Sequence, residues 1–216
     1  MVNNETKETG RVETFSDSVF AIAITLLVLG IPVPPAGAQE AVWNQWPSFA
    51  GYAISFLTIL VMWINHHTIF EVIRRIDRLF LFLNGVLLML ITFVNYPTDL
   101  LAAYLRQPEA GTFAALFYNG TFIVIALLFN ALWLYASSHS RLLSSSASPS
   151  RVRSITIQYY FGPVFYLVAF LLAFVSVPAS LITDLLLAIS FCFTGISSIR
   201  RARRGTRQED QDQPPT

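Results

Sequence analysis

A carboxylate, an indole, two imidazoles and two amides fall at matching depths in three apolar stretches of this 216-residue chain. Asp17 lies one to two turns from the charged end of the first stretch. Trp63, Asn65, His66 and His67 lie as far from the matching end of the second, ahead of Glu71, and Asn84 lies about as far into the third, after Arg78. A charge inside hydrocarbon is costly unless it is paired or wetted, so Asp17 requires a partner. Imidazole, indole N–H and amide groups can all donate to a carboxylate. Three chemistries fit such a layer: a proton relay, a metal site of histidines and a carboxylate, or a clamp that fixes the first helix. His66 and His67 are adjacent and project about 100° apart, which makes them poor joint ligands for one ion. The His-x₃-His spacing that would set two ligands on one face is absent, and no metal is expected.

Other chemistry finds little footing. There is no Gly-rich phosphate loop, no Ser/His/Asp order and no pair of catalytic carboxylates, so neither an enzyme nor a bound cofactor is expected. Cys192 is the one cysteine, which excludes an intrachain disulfide and reads as a small buried apolar residue. Asp184 sits near the outer end of the last apolar stretch and reads as a side chain reaching the interface. Asn95, Pro97 and Asp99 mark a bent helix end, and Tyr159, Tyr160 and Tyr166 read as packing residues.

The elements that must position these groups are membrane spans. The chain is 54% hydrophobic and 12% charged, about half the charged share of a soluble domain, so apolar surface must face lipid. Six stretches approach the ~20 residues needed to cross ~30 Å of hydrocarbon. They fall at about 13–33, 47–70, 79–104, 111–136, 154–177 and 179–199, in a single six-span domain over 1–199. Pro32, Pro34 and Pro35 end the first, Arg106-Gln107-Pro108 turns between the third and fourth, and Val177-Pro178 parts the last two. Residues 200–216, basic and then acidic and Pro-rich, read as a disordered cytoplasmic tail. Of the 14 lysines and arginines, 13 fall on one side of this layout and only Arg106 on the other, which sets both termini in the cytoplasm. Trp43, Trp46 and Tyr104 sit at the outer boundary, where amphipathic rings favour the headgroup zone. Residues 1–14 are polar and no cleavable signal peptide is expected; the serine-rich stretch 137–153 reads as a flexible inner loop. The fold class is an all-α integral membrane protein, multi-pass, with the plasma membrane as its expected location and no nucleic-acid partner.

Projected at about 100° per residue, Phe15, Ser18, Ile22, Thr25, Leu26 and Leu29 share one narrow arc of the first helix, and Asp17 points elsewhere. One face is thus an apolar stripe with two hydroxyls, and the other directs a carboxylate into the protein.

Arg11-x₃-Phe15-Ser16-Asp17, followed by Val19-Phe20-Ala21-Ile22-Ala23-Ile24-Thr25-Leu26-Leu27, resembles the first-helix motif of the transmembrane protein 175 family. Trp63-Ile64-Asn65-His66-His67, Arg75-Ile76-Asp77 and Leu83-Asn84 add to the resemblance, which covers about residues 8–100 by motif. It implies a potassium-permeable cation channel without a carbonyl filter, built in the prokaryotic branch as a homotetramer of six-helix chains whose first helices line the pore. Carried over by position, Ile22, Leu26 and Leu29 would form the aliphatic constriction. Thr25 would bear on potassium preference, and Ser18 on the same face would help to share an ion's hydration shell. Arg11, Ser16 and Asp17 match the motif that braces the pore helix, with Trp63, His67 and Asn84 as its partners and His66 as the rival of His67. Aliphatic rings coordinate nothing, so potassium would be preferred over sodium only modestly, and other monovalent cations would pass. A proton-coupled secondary transporter using Asp17 with His66 or His67 is the alternative; no paired broken half-helices or internal repeat favour it.

Overall fold

The computed structural model describes residues 2–35, 39–138, 142–144 and 147–191. Cys192, the end of the expected sixth span and the tail at 200–216 lie outside the described residues. The chain runs α1 (Val2–Leu26), a single 3₁₀ turn (Leu27–Gly30), α2 (Gln39–Asn44), α3 (Trp46–Val72), α4 (Arg78–Phe93), α5 (Asn95–Tyr104), α6 (Pro108–Ser138) and α7 (Pro149–Ala173). A further helix, α8, spans Val177–Phe191. Five segments are long and apolar enough to cross a membrane: Glu8–Gly30, Trp46–Val72, Arg78–Tyr104, Pro108–Ser138 and Pro149–Ala173; α8 is apolar and shorter.

Local chemistry sets the ends. Pro32 cannot continue the helix before it, and Ile31 is already extended at φ −85° and ψ 109°. Asp77 caps α4 by accepting from Phe80 N at 2.8 Å, and its second oxygen accepts from the Tyr135 hydroxyl on α6. Ser148 caps α7 ahead of Pro149.

The expected span 79–104 is present as Arg78–Tyr104 and is bent into α4 and α5 near the marked Asn95 and Pro97, because Pro97 has no N–H to give back across the bend at Val94. Two other features differ from the sequence reading. The turn between the last two helices is Phe174–Ser176, not Val177-Pro178. Pro178 sits in the first turn of α8, where a missing N–H costs nothing, and Ala179 N donates to the preceding Ser176 Oγ. Part of the inner loop is also held: Arg74 N donates to Leu142 O at 2.8 Å, and Ser144 N to Val72 O at 2.9 Å.

α6 is the central post, packed on α4, α5 and α7, while α1 lies against α3 and α4. Tyr118, Phe122, Ile125, Leu132 and Trp133 are fully buried along α6. The outer end of α1 is set by close approach. A Cβ on Gly30 would lie 1.8 Å from Asp99 Oδ1, so a larger residue where the 3₁₀ turn meets α5 would have to push the exposed Asp99 carboxylate aside. Arg106, on the turn after α5, donates to Asn44 O at 2.8 Å and lies 5.8 Å from the centre of the Trp46 ring.

Candidate functional site: the two faces of the first helix

Ser16, Phe20, Ala23 and Leu27 step four, three and four residues along α1 and into the 3₁₀ turn, one face of a helix, and all are at most 2% exposed. The opposite face is bare. Ile22 is 54% exposed, Leu26 42% and Leu29 75%, and Phe15, Ser18 and Thr25 are exposed beside them. The last turn tightens to 3₁₀, yet Leu29 stays on the open side. The Ser18 and Thr25 hydroxyls on this face turn their protons to their own backbone: Ser18 Oγ donates to Thr14 O at 2.9 Å and Thr25 Oγ1 to Ile22 O at 2.9 Å. Their oxygens keep lone pairs for an outside donor or cation.

On the packed side, two polar links join α1 to its neighbours. Trp63 Nε1 on α3 donates to Asp17 Oδ1 at 2.8 Å. Asn84 Nδ2 on α4 donates to Ser16 Oγ at 3.0 Å, and Asn84 Oδ1 meets His66 Nε2 on α3 at 2.8 Å. A single amide therefore spans three helices with acceptor and donor both used. His66 is fully buried, its ring 5.2 Å from that of Phe20 and 4.6 Å from that of Phe70.

The two histidines have different work. Asn84 is met by His66, whereas His67 turns outward, its Nδ1 2.9 Å from Glu13 Oε1 and its Nε2 3.8 Å from Glu71 Oε1. Adjacent positions on a helix point about 100° apart, which is why one ring enters the core and the other meets the surface. Neither forms an ion pair with Asp17. Arg11, expected within the brace, is exposed and has no hydrogen bond or ion pair among the described residues. It falls four residues before Phe15, on the bare side, and with Gly10, Thr14, Phe15 and Ser18 lines an open hollow.

Several contacts escaped the sequence reading. Glu13 precedes Asp17 by one turn and could have been found at that spacing. Arg151 on α7 reaches Glu71 on α3, and Gln158 Nε2 donates to Asn65 Oδ1 at 3.0 Å, links that need knowledge of which helices adjoin. Asp184, expected at the interface, is only 2% exposed; the packing of α6 and α7 around α8 closes over it.

These features define a multi-pass, all-helical membrane protein whose first helix is braced on one face and open on the other. A family model described as endosomal/lysosomal potassium channel TMEM175 matches residues 11–94. A potassium channel from Chamaesiphon minutus is 51% identical over 193 residues, 87% of this chain and 95% of that protein. One from Streptomyces collinus is 42% identical over 193 residues, 88% of this chain and 94% of that protein. The crystal structure of a lysosomal potassium-selective channel TMEM175 homologue from Chamaesiphon minutus matches with a TM-score of 0.78 and 47% identity, over 88% of this chain and 98% of that one. The chain belongs to the TMEM175 family.

Proposed function

We propose that this protein is a potassium-permeable cation channel in which several copies of α1 surround a central pore. The observation that carries the reading is the bare face of Ile22, Thr25, Leu26 and Leu29, with Asp17 held off it by Trp63. The potassium channels of Chamaesiphon minutus and Streptomyces collinus, matched over nearly their full lengths, support the cargo.

In this reading the pore belongs to a homotetramer in the plasma membrane, with both termini cytoplasmic. Rings of Ile22, Leu26 and Leu29 form a neck that holds water poorly and gates by dewetting. Passage needs a wider state in which the α1 helices rotate or spread. Ser18 and Thr25 then offer oxygens to a partly dehydrated ion, and because the neck itself coordinates nothing, potassium is preferred over sodium only modestly. Other monovalent cations pass more slowly, and no catalysis or cofactor enters.

The geometry favours no proton-coupled transporter, since Asp17 is bonded to an indole and both histidines have other partners. Purified protein in planar bilayers tests the proposal. Potassium current without a proton gradient, shifting its reversal potential with the potassium gradient, is the expected result. Saturable uptake that requires a proton gradient would refute it.

A further inference from the structure

Away from the α1 face, the outer half of the subunit holds a second buried polar cluster. Asp184 on α8 is 2% exposed, and neither of its carboxyl oxygens has a hydrogen-bond donor. Asn119 on α6 lies beside it, fully buried; its amide is close enough to act on the carboxyl but makes no hydrogen bond to it, and its Oδ1 lacks a donor too. The titratable groups facing Asp184 are Tyr118 on α6 and Tyr166 on α7. Among the described residues no lysine, arginine or histidine forms an ion pair with it.

The neighbouring donors can be followed one by one. Asn119 Nδ2 gives its two protons to Ala115 O at 2.9 Å and Ser180 Oγ at 3.0 Å. Ser180 Oγ gives its own to Ala169 O at 2.8 Å on α7. Thr98 Oγ1 donates to Val94 O, so at their 2.8 Å contact Ser55 Oγ must donate to Thr98. The Tyr118 hydroxyl must then donate to Ser55, 3.0 Å away, and its proton is turned from Asp184. Three acceptor oxygens remain, two on Asp184 and one on Asn119. An ionised carboxylate there would be a buried charge without a countercharge, the most costly arrangement available in a helix bundle.

We propose that Asp184 and Asn119 form a proton-binding site inside the subunit: the carboxyl holds a proton and donates it to Asn119 Oδ1, fastening α8 to α6. One proton turns Asp184 from acceptor to donor and gives the orphan amide oxygen its partner. The Ser180 hydroxyl between Asn119 and Ala169 extends the fastening to α7. This site is independent of the channel reading, since it uses no residue of α1.

The test uses the full chain in lipid nanodiscs with aspartate ¹³C-labelled at its side-chain carboxyl. At neutral pH the infrared spectrum should contain a protonated-carboxyl C=O band that disappears in Asp184→Asn and moves in Asn119→Ala. In the unfolded chain the same carboxyl is ionised at neutral pH, so folding takes up a proton and stability falls as pH rises. The folded-to-unfolded ratio of the wild type should therefore fall up to about tenfold per pH unit relative to Asp184→Asn. An Asp184 seen only through carboxylate bands, with the same pH slope in both proteins, would overturn the proposal. So would potassium or sodium chloride raising the Tm of the wild type but not of Asp184→Asn, which would make this a metal-ion site. Should Asp184→Asn fail to fold, the labelled wild type decides: absence of any protonated-aspartate band at neutral pH refutes the site.

Discussion

Trp63 Nε1 donates to Asp17 Oδ1 across 2.8 Å, and this bond between α3 and α1 turns the carboxylate of the first helix away from Ile22, Thr25 and Leu29. A fixed charge is thereby removed from the face of α1 that no other described part of the chain covers. The link also sets the rotation of α1 about its axis, because Ser16 next to it is held by Asn84.

Trp63→Phe keeps the ring packing but leaves a half-buried carboxylate without its donor. The expected loss is about 1–3 kcal/mol, the cost of an unsatisfied buried polar group. Thermal unfolding of the detergent-solubilised protein checks it. Asp17→Asn, which retains an acceptor for the indole, should lose less.

Asn84→Leu removes the amide that serves Ser16 and His66 at once. Two buried groups lose partners, so a loss of about 2–4 kcal/mol is expected, larger than for Ser16→Ala, which strips a single contact. The same unfolding measurement, made on both variants, tests the ranking. Equal losses would mean that the Asn84–His66 contact adds nothing.

The surface chain Glu13–His67–Glu71–Arg151 should behave differently. The side chains of His67 and Glu71 are 47% and 43% exposed, and solvent-screened pairs contribute about 0–1 kcal/mol. Glu71→Gln is therefore expected to leave the Tm nearly unchanged and to be less salt-sensitive than the wild type.

Gly30→Ala would drive a Cβ to 1.8 Å from Asp99 Oδ1, far inside contact. The clash is with the free end of an exposed side chain that can rotate away, so the expected loss is small, about 0.5 kcal/mol. Thermal unfolding of Gly30→Ala beside the wild type checks it.

In the proposed channel, Thr25 is the one hydroxyl level with the aliphatic rings. Thr25→Ala is expected to lower the potassium-to-sodium permeability ratio several-fold, read from the reversal potential under bi-ionic conditions. An unchanged ratio would remove Thr25 from selectivity.

How much of this was legible before the structure depends on what each residue's position requires. Helical periodicity alone groups Ile22, Thr25, Leu26 and Leu29 on one face of α1 and turns Asp17 off it, but both faces are apolar, so it does not tell that Ser16, Phe20, Ala23 and Leu27 form the packed one. That Asp17 needs a donor follows from the cost of buried charge, but its donor does not. Trp63, His66 and His67 all lie at the right depth, and only the rotation of α3, fixed by Phe20 and Phe70 around His66, selects among them. Arg11 was grouped with Ser16 and Asp17 by motif, although its spacing to Phe15 and Ser18 already set it on the bare face. Asp184 was misjudged for a different reason: distance along one helix measures depth, while burial depends on α6 and α7, which no local pattern encodes. The bend at Val94 was readable from Pro97, whereas the α7–α8 turn was displaced because a proline can open a helix as well as close one.

The central claim is that the face bearing Ile22 and Leu29 meets an aqueous path shared between subunits. Ile22→Cys, placed in a Cys192→Ser background to remove the native thiol, tests it by exposure to a small cationic thiol reagent during bilayer recording. The reagent should alter the current irreversibly, and high potassium should slow its attack. A current indifferent to the reagent, with the same cysteine labelled by a lipid-soluble maleimide from the membrane, would contradict it.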